Sequence, residues 1–134
     1  MSSFHSSGFT ILIVDDDPLI RTFLQAFCEV NNYDAEFAGS GTEALSLLDK
    51  NRSYLLVIVD FLMPEMHGVE FIRQAKKKWR DIPIIAMSAW DDVGQSLIEA
   101  GACLFFEKPF DPYVLEKEIE IIRSAYMDNN ARCT

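Results

Sequence analysis

Cysteine is scarce in this chain. The 134 residues hold three, Cys28, Cys103 and Cys133, an odd number at long spacings with no C-x-x-C pair. That pattern points to neither a disulfide framework nor a thiolate metal site, and a reducing cytosol is the simplest compartment. Cys28 and Cys103 lie in apolar runs and read as core residues, whereas Cys133 falls in a polar tail. Histidine is scarcer still: His5 and His67 show no ligand pattern and read as surface residues. Long apolar runs are missing too. Stretches such as Leu55 to Val59 fall far short of the ~20 residues that a membrane helix needs. Met1 to Gly8 lacks a basic region followed by an apolar one, so no signal peptide is expected and the chain reads as soluble and cytoplasmic. Positive charge is in deficit, with 12 basic against 21 acidic residues and a net charge of −9. Such a chain repels phosphate backbones and anionic lipid headgroups, which argues against direct nucleic-acid binding and membrane insertion. The acidity serves solubility, or it marks a cation site.

What is present is ordinary globular composition, 49% hydrophobic and 25% charged, in a length that fits one domain. Five short apolar runs alternate with five amphipathic ones. The expected strands are Thr10 to Val14, Tyr33 to Ala38 (weakened by Asp34 and Glu36), Tyr54 to Val59, Ile82 to Met87 and Cys103 to Phe106. The expected helices are Pro18 to Val30, Ser40 to Leu48, Val69 to Trp79, Val93 to Ala100 and Pro112 to Tyr126. Asp17 before Pro18 is a good helix cap, and Ser40 with Glu43 has the capping-box pattern. Gly101 stops the fourth helix and Asp111 opens the fifth. Residues 9 to 126 make the domain, with 1 to 8 and 127 to 134 as flexible tails. Continuous apolar strands alternating with helices imply parallel pairing with right-handed crossovers, a doubly wound α/β sandwich.

Ligands of such sheets sit beyond the carboxyl ends of the strands. Strand one runs into Asp15, Asp16 and Asp17, strand three into Asp60, strand four into Ser88, and strand five into Lys108-Pro109. Parallel pairing would put all of them on one edge. Carboxylates crowded together raise one another's pKa, so their joint ionisation calls for a cation. Oxygen donors without His or Cys favour a hard ion, Mg²⁺ or Mn²⁺.

The segments Ile11-Leu12-Ile13-Val14-Asp15-Asp16-Asp17, Val57-Ile58-Val59-Asp60-Phe61-Leu62-Met63-Pro64 with Gly68, Ile84-Ile85-Ala86-Met87-Ser88-Ala89 and Phe106-Glu107-Lys108-Pro109-Phe110 occur in that order. Together they resemble the receiver domain of bacterial response regulators, over about residues 9 to 126. The resemblance implies a flavodoxin-like (βα)₅ fold, a five-stranded parallel sheet with five helices, working in a two-component phosphorelay. It implies that Asp60 takes a phosphoryl group from a phosphohistidine on a sensor histidine kinase or phosphotransfer protein. It makes Asp15, Asp16, Asp60 and the backbone carbonyl of Leu62 the metal ligands, with Ser88 and Lys108 contacting phosphoryl oxygens. It implies a cis Lys108–Pro109 bond, and a protein-binding face on the fourth helix, fifth strand and fifth helix that addresses a downstream protein or a fused output domain. The chain would be a switch with self-phosphorylation chemistry only, not an enzyme. Phe105 stands where the family has a switching aromatic; a core role and a switch role are both open for it.

The residues also carry plainer readings. Asp15 and Asp16 would serve as helix caps, but one cap suffices and Asp17 fills it. Asp60 would suit a turn before Met63-Pro64. Lys76-Lys77-Lys78-Trp79-Arg80 reads as cations offsetting a helix dipole rather than as a nucleic-acid patch. Leu62 and Trp90 depart from polar residues near the acceptor, and are expected to screen an acyl phosphate on Asp60 from water. His67 before Gly68 is a tolerated departure. An aspartate-nucleophile phosphatase would need an Asp-x-Asp pair followed by Thr or Val. Here Asp15-Asp16-Asp17 is followed by Pro18-Leu19, and Asp60 has no acid two residues on. A phosphorylation-independent binding module would not need the complete set of acids, hydroxyl and lysine.

Overall fold

Parallel pairing is realised throughout. In the computed structural model, which describes residues 9–50 and 53–133, with side chains through residue 127, the strands are Thr10–Val14 (β1), Asp34–Ala38 (β2), Tyr54–Asp60 (β3), Ile84–Ser88 (β4) and Leu104–Glu107 (β5). They form one sheet in the order β2-β1-β3-β4-β5, every pair parallel. The helices are Pro18–Val30 (α1), Gly41–Asp49 (α2), Gly68–Lys78 (α3), Gly94–Ala100 (α4) and Pro112–Cys133 (α5). They cover both faces, as the continuous apolar runs of β1, β3 and β4 require.

The alternation of side chains along each strand divides the core in two. Leu12, Val14, Val57, Val59, Ile84 and Ala86 meet Ala44 and Leu48 of α2, Phe71 and Ile72 of α3, and Leu97 of α4. Ile11, Ile13, Leu56, Ile58, Ile85 and Met87 meet Leu24 and Phe27 of α1, and Leu115 and Ile119 of α5. Burying each large aliphatic side chain stabilises the fold by ~1.5–3 kcal/mol relative to exposure. The polar interruptions of β2 are explained by its place at the sheet edge, where its residues are mostly half-buried. Glu36 there accepts a hydrogen bond from the Tyr54 hydroxyl at 2.5 Å.

The local signals work as expected. Asp17 Oδ1 accepts the Leu19 N–H at 3.0 Å with Pro18 opening α1. Ser40 Oγ accepts the Glu43 N–H at 3.1 Å, while Glu43 reaches back to the Gly39 N–H at 2.9 Å. Gly101, at φ 131°, ends α4 in a conformation that L side chains avoid. Lys76 Nζ donates to the carbonyls of Arg80 and Ile82 at 2.6 and 2.8 Å, tying down the loop that follows α3. Lys78 pairs with Asp49 at 2.6 Å.

Two expectations need correction. The fifth helix does not stop at Tyr126 but continues to Cys133. Asp128-Asn129-Asn130 is only mildly unfavourable in a helix, and neither Gly nor Pro follows to break it. Cys103 is exposed, unlike buried Cys28, because it leads into β5 on the other sheet edge. Burial pushes the Cys28 thiol up to about 12, which makes it inert. The expected tail at residues 1 to 8 lies outside the described residues. Among the described residues, no helix is long and apolar enough to cross a membrane.

The turn from β3 into α3 needs a residue without a side chain. The Gly68 N–H donates to Phe61 O at 2.8 Å, and a Cβ there would stand 2.9 Å from both Asp60 O and Phe61 Cα. Gly68→Ala is expected to destabilise the fold by ~1–3 kcal/mol, read as a lower urea midpoint; an unchanged midpoint would contradict this account of the turn.

Candidate functional site

The chain emerging from each of β1, β3, β4 and β5 delivers one polar residue to the same rim. Asp15 follows β1, its N–H bonded to Ala38 O at 3.0 Å. Asp60 ends β3 and Ser88 ends β4. Lys108 follows β5, held there by its N–H to Ser88 O at 2.8 Å. The Lys108–Pro109 peptide bond is cis. Asp15, Asp60 and Ser88 are the buried polar side chains among the described residues, at 2%, 8% and 3% exposure. Burial of that kind requires partners.

Lys108 and three backbone N–H groups supply them. The Lys108 Nζ lies 2.6 Å from Asp60 Oδ1 and 3.2 Å from Asp15 Oδ2. The remaining oxygens accept backbone N–H groups two residues on: Asp17 N to Asp15 Oδ1 at 2.9 Å, and Leu62 N to Asp60 Oδ2 at 3.1 Å. Ser88 Oγ likewise accepts the Trp90 N–H at 2.9 Å. Burial raises the Asp15 carboxyl above its ordinary value and the Asp60 charge adds to the rise, against the Asp17 N–H and Lys108. Burial pulls the Lys108 ammonium down, but Asp60 and Asp15 outweigh it, so Lys108 stays above the ordinary lysine value.

These groups line a cavity of about 310 Å³ together with Asp16, Asp17, Ile20, Leu62, Ala89 and Trp90. Phe105 is not among its walls; it packs against α4. Among the described residues, no three His, Cys, Asp or Glu side chains form a ready-made metal cage. The donors nonetheless suit a hard ion. They are carboxylate oxygens with no imidazole or thiolate in the cavity wall, and magnesium commonly takes one or two carboxylates and keeps its waters.

Residues 11–120 match the family model for the response regulator receiver domain. The chain belongs to that family. It is 38% identical over 102 residues to the response regulator MprA of Mycobacterium sp. (strain KMS), covering 75% of this chain and 44% of that protein. The chain thus spans less than half the length of that relative. Among solved structures it resembles the receiver domain of the Francisella response regulator 1452, with a TM-score of 0.81 and 27% identity over 87% of this chain and 98% of that one. The response regulator TrrA of Thermotoga maritima, solved in complex with Mg²⁺–BeF, matches with a TM-score of 0.79 and 31% identity over 85% and 98%. Receiver domains of two-component systems share the five-stranded parallel sheet and five helices seen here.

The receiver's sequence named the residues of the rim but not how they touch. The double contact of Lys108 and the neighbouring ring stack were not foreseen. In that stack Phe61 lies between His67, parallel at 5.7 Å, and Trp90, tilted at 5.8 Å. A partial signal existed: Asp and Ser side chains habitually accept the N–H two residues on, which fits Asp15, Asp60 and Ser88 alike.

Lys108 stabilises the fold while it is charged. That contribution is complete below the ordinary lysine value of 10.5 and is lost as pH rises through the elevated folded value. Lys108→Met is expected to lose on the order of 1–3 kcal/mol near neutrality. Its gap from the parent should narrow above pH 10.5 in urea titrations; a gap constant with pH would contradict the assignment.

Proposed function

We propose that this receiver is a phosphoacceptor switch in which Asp60 attacks the phosphorus of a phosphohistidine, carried by a sensor histidine kinase or a phosphotransfer protein. The observation that carries this reading is the single ammonium of Lys108 shared between Asp60 and Asp15 beside Ser88. Asp60 Oδ2 is steadied by the Leu62 N–H, and Lys108 lies within reach of a phosphoryl group arriving on Asp60. Ser88 takes a second phosphoryl oxygen by turning its hydroxyl toward it. Asp15, Asp16, Asp60 and the carbonyl of Leu62 would hold Mg²⁺, with Mn²⁺ as a substitute. The ion supplies positive charge to the transferring phosphoryl group. The chain's own residues set the in-line geometry and exclude water.

The output is a changed protein-binding surface on α4, β5 and α5, addressed to a downstream protein or a fused output domain. Phe105 with Ser88 forms the switch. A Cβ on Gly94 would come within 2.8 Å of Phe105 Cδ2, so the ring rests directly on the start of α4. A move of that ring is felt by the helix. The exchange takes place in the cytoplasm, without turnover of a free substrate, in keeping with the unpaired Cys28 and Cys103.

Acetyl phosphate with Mg²⁺ is expected to give a one-phosphate adduct by intact mass, absent in Asp60→Ala; an adduct that persists in that variant would move the acceptor elsewhere. Leu62 and Trp90, apolar walls of the Asp60 cavity, shield the acyl phosphate from water. Leu62→Asn combined with Trp90→Glu should therefore shorten its lifetime, followed by loss of the adduct after desalting. Equal lifetimes would remove this role.

A further inference from the structure

We propose that the groove between α1 and α5 is a binding site for a small organic ammonium ion, one that carries its positive charge on an apolar or aromatic body. The groove has a volume of about 450 Å³, within the range of small-molecule sites. It shares no lining residue with the Asp60 cavity.

Three of the lining residues are aromatic. Phe27 is buried, Phe23 partly exposed and Tyr113 largely exposed, so ring surface runs from the interior to the lip. The inner two rings are braced by others. Phe23 meets Phe110 edge-on at 5.7 Å and 67°, and Phe27 leans on Tyr33 at 6.2 Å and 51°. The Tyr113 N–H donates to Asp111 Oδ1 at 2.9 Å, which fixes the first turn of α5 beside the groove.

The charge of the lining has one sign. Asp111 and Glu116 take part in it, and no Lys, Arg or His joins them. The Asp60 cavity is built differently, its acids matched by Lys108. Among the described residues neither Asp111 nor Glu116 is in an ion pair.

That combination selects one chemistry. Aromatic faces attract a cation through the ring quadrupole, and quaternary ammonium groups are recognised in this way. The two carboxylates add Coulombic attraction, which strengthens as water is displaced. A hard metal ion keeps its waters unless oxygen donors replace them, and rings cannot do so. An alkylated ammonium ion sheds water more readily and lays its carbon body against Val30 and Pro112, which also line the groove. An anion is repelled by the acids, and a neutral ring gains the apolar contact alone.

The test titrates the full chain with benzyltrimethylammonium, phenethyl alcohol and phenylacetate, following backbone amides by NMR. Saturable shifts are expected with the ammonium ion at residues 23–31 and 111–116. Its Kd should lie about three- to tenfold below that of phenethyl alcohol, with phenylacetate weaker still. In Glu116→Gln the ion should bind about threefold more weakly, with phenethyl alcohol within about twofold of the parent. In Tyr113→Ala the ion should also lose about threefold, whereas Tyr113→Phe keeps the ring face and stays within about twofold. Each variant is checked for folding by thermal melt. Equal affinity for the ion and the alcohol overturns the proposal, leaving an apolar face without charge preference. Shifts centred on Asp15, Asp16 and Asp60 overturn it by placing the ion at the acidic rim, and so does the lack of any saturable shift.

Discussion

One ammonium group governs the active rim. Lys108 stands between two buried carboxylates, 2.6 Å from one and 3.2 Å from the other. Without it, Asp15 and Asp60 would be like charges withdrawn from water, an arrangement that proteins avoid by neutralising or pairing the groups. With it, the site holds a fixed positive charge in a place that water reaches poorly, where electrostatic forces are strong. A group with several anionic oxygens is welcome there, and its arrival competes with the carboxylates for the same lysine. Competition of that kind would couple any group held at Asp60 to the strand end on which Lys108 sits.

The lysine can do this because the backbone around it is fixed twice over. The parallel ladder continues past β4 and β5 through the Lys108 N–H to Ser88 O. The opposing side chains are set by short-range hydrogen bonds, each to the amide two residues further on: Asp15 to Asp17, Asp60 to Leu62, Ser88 to Trp90. Each bond turns the chain away from the sheet while holding the functional oxygen at the rim. Orientation is therefore settled before any ligand arrives, which is the larger part of what phosphoryl transfer asks of a protein.

The loops that make these turns also carry apolar and aromatic side chains to the mouth of the cavity. Leu62 and Trp90 leave the same turns that orient Asp60 and Ser88. Geometry of the Asp60 carboxylate and character of its surroundings are thus set by neighbouring residues in the chain. Gly68 lets the first of these loops close tightly over Asp60 and Phe61, and Gly94 lets Phe105 lie flush with α4.

Much of this was legible in the order of residues. Alternation of continuous apolar runs with amphipathic ones specified buried parallel strands and their covering helices, because burial on two faces leaves no room for polar residues. Acids, serine and lysine at the run ends then marked the rim. Two signals failed, one of them decided by position in the sheet. Cys103 reads as core from its neighbours, yet an edge strand leaves it exposed. The fifth helix was expected to end at Tyr126, yet it continues to Cys133, since residues of modest propensity do not stop one. Which strand lies at the edge, which oxygen Lys108 reaches, and that Phe61, His67 and Trp90 stack together depend on contacts between segments distant in the chain. Local preference acts over a few residues and could specify the elements and their turns. Only packing of the whole sheet, acting over distances that periodicity does not encode, could bring one lysine between two aspartates.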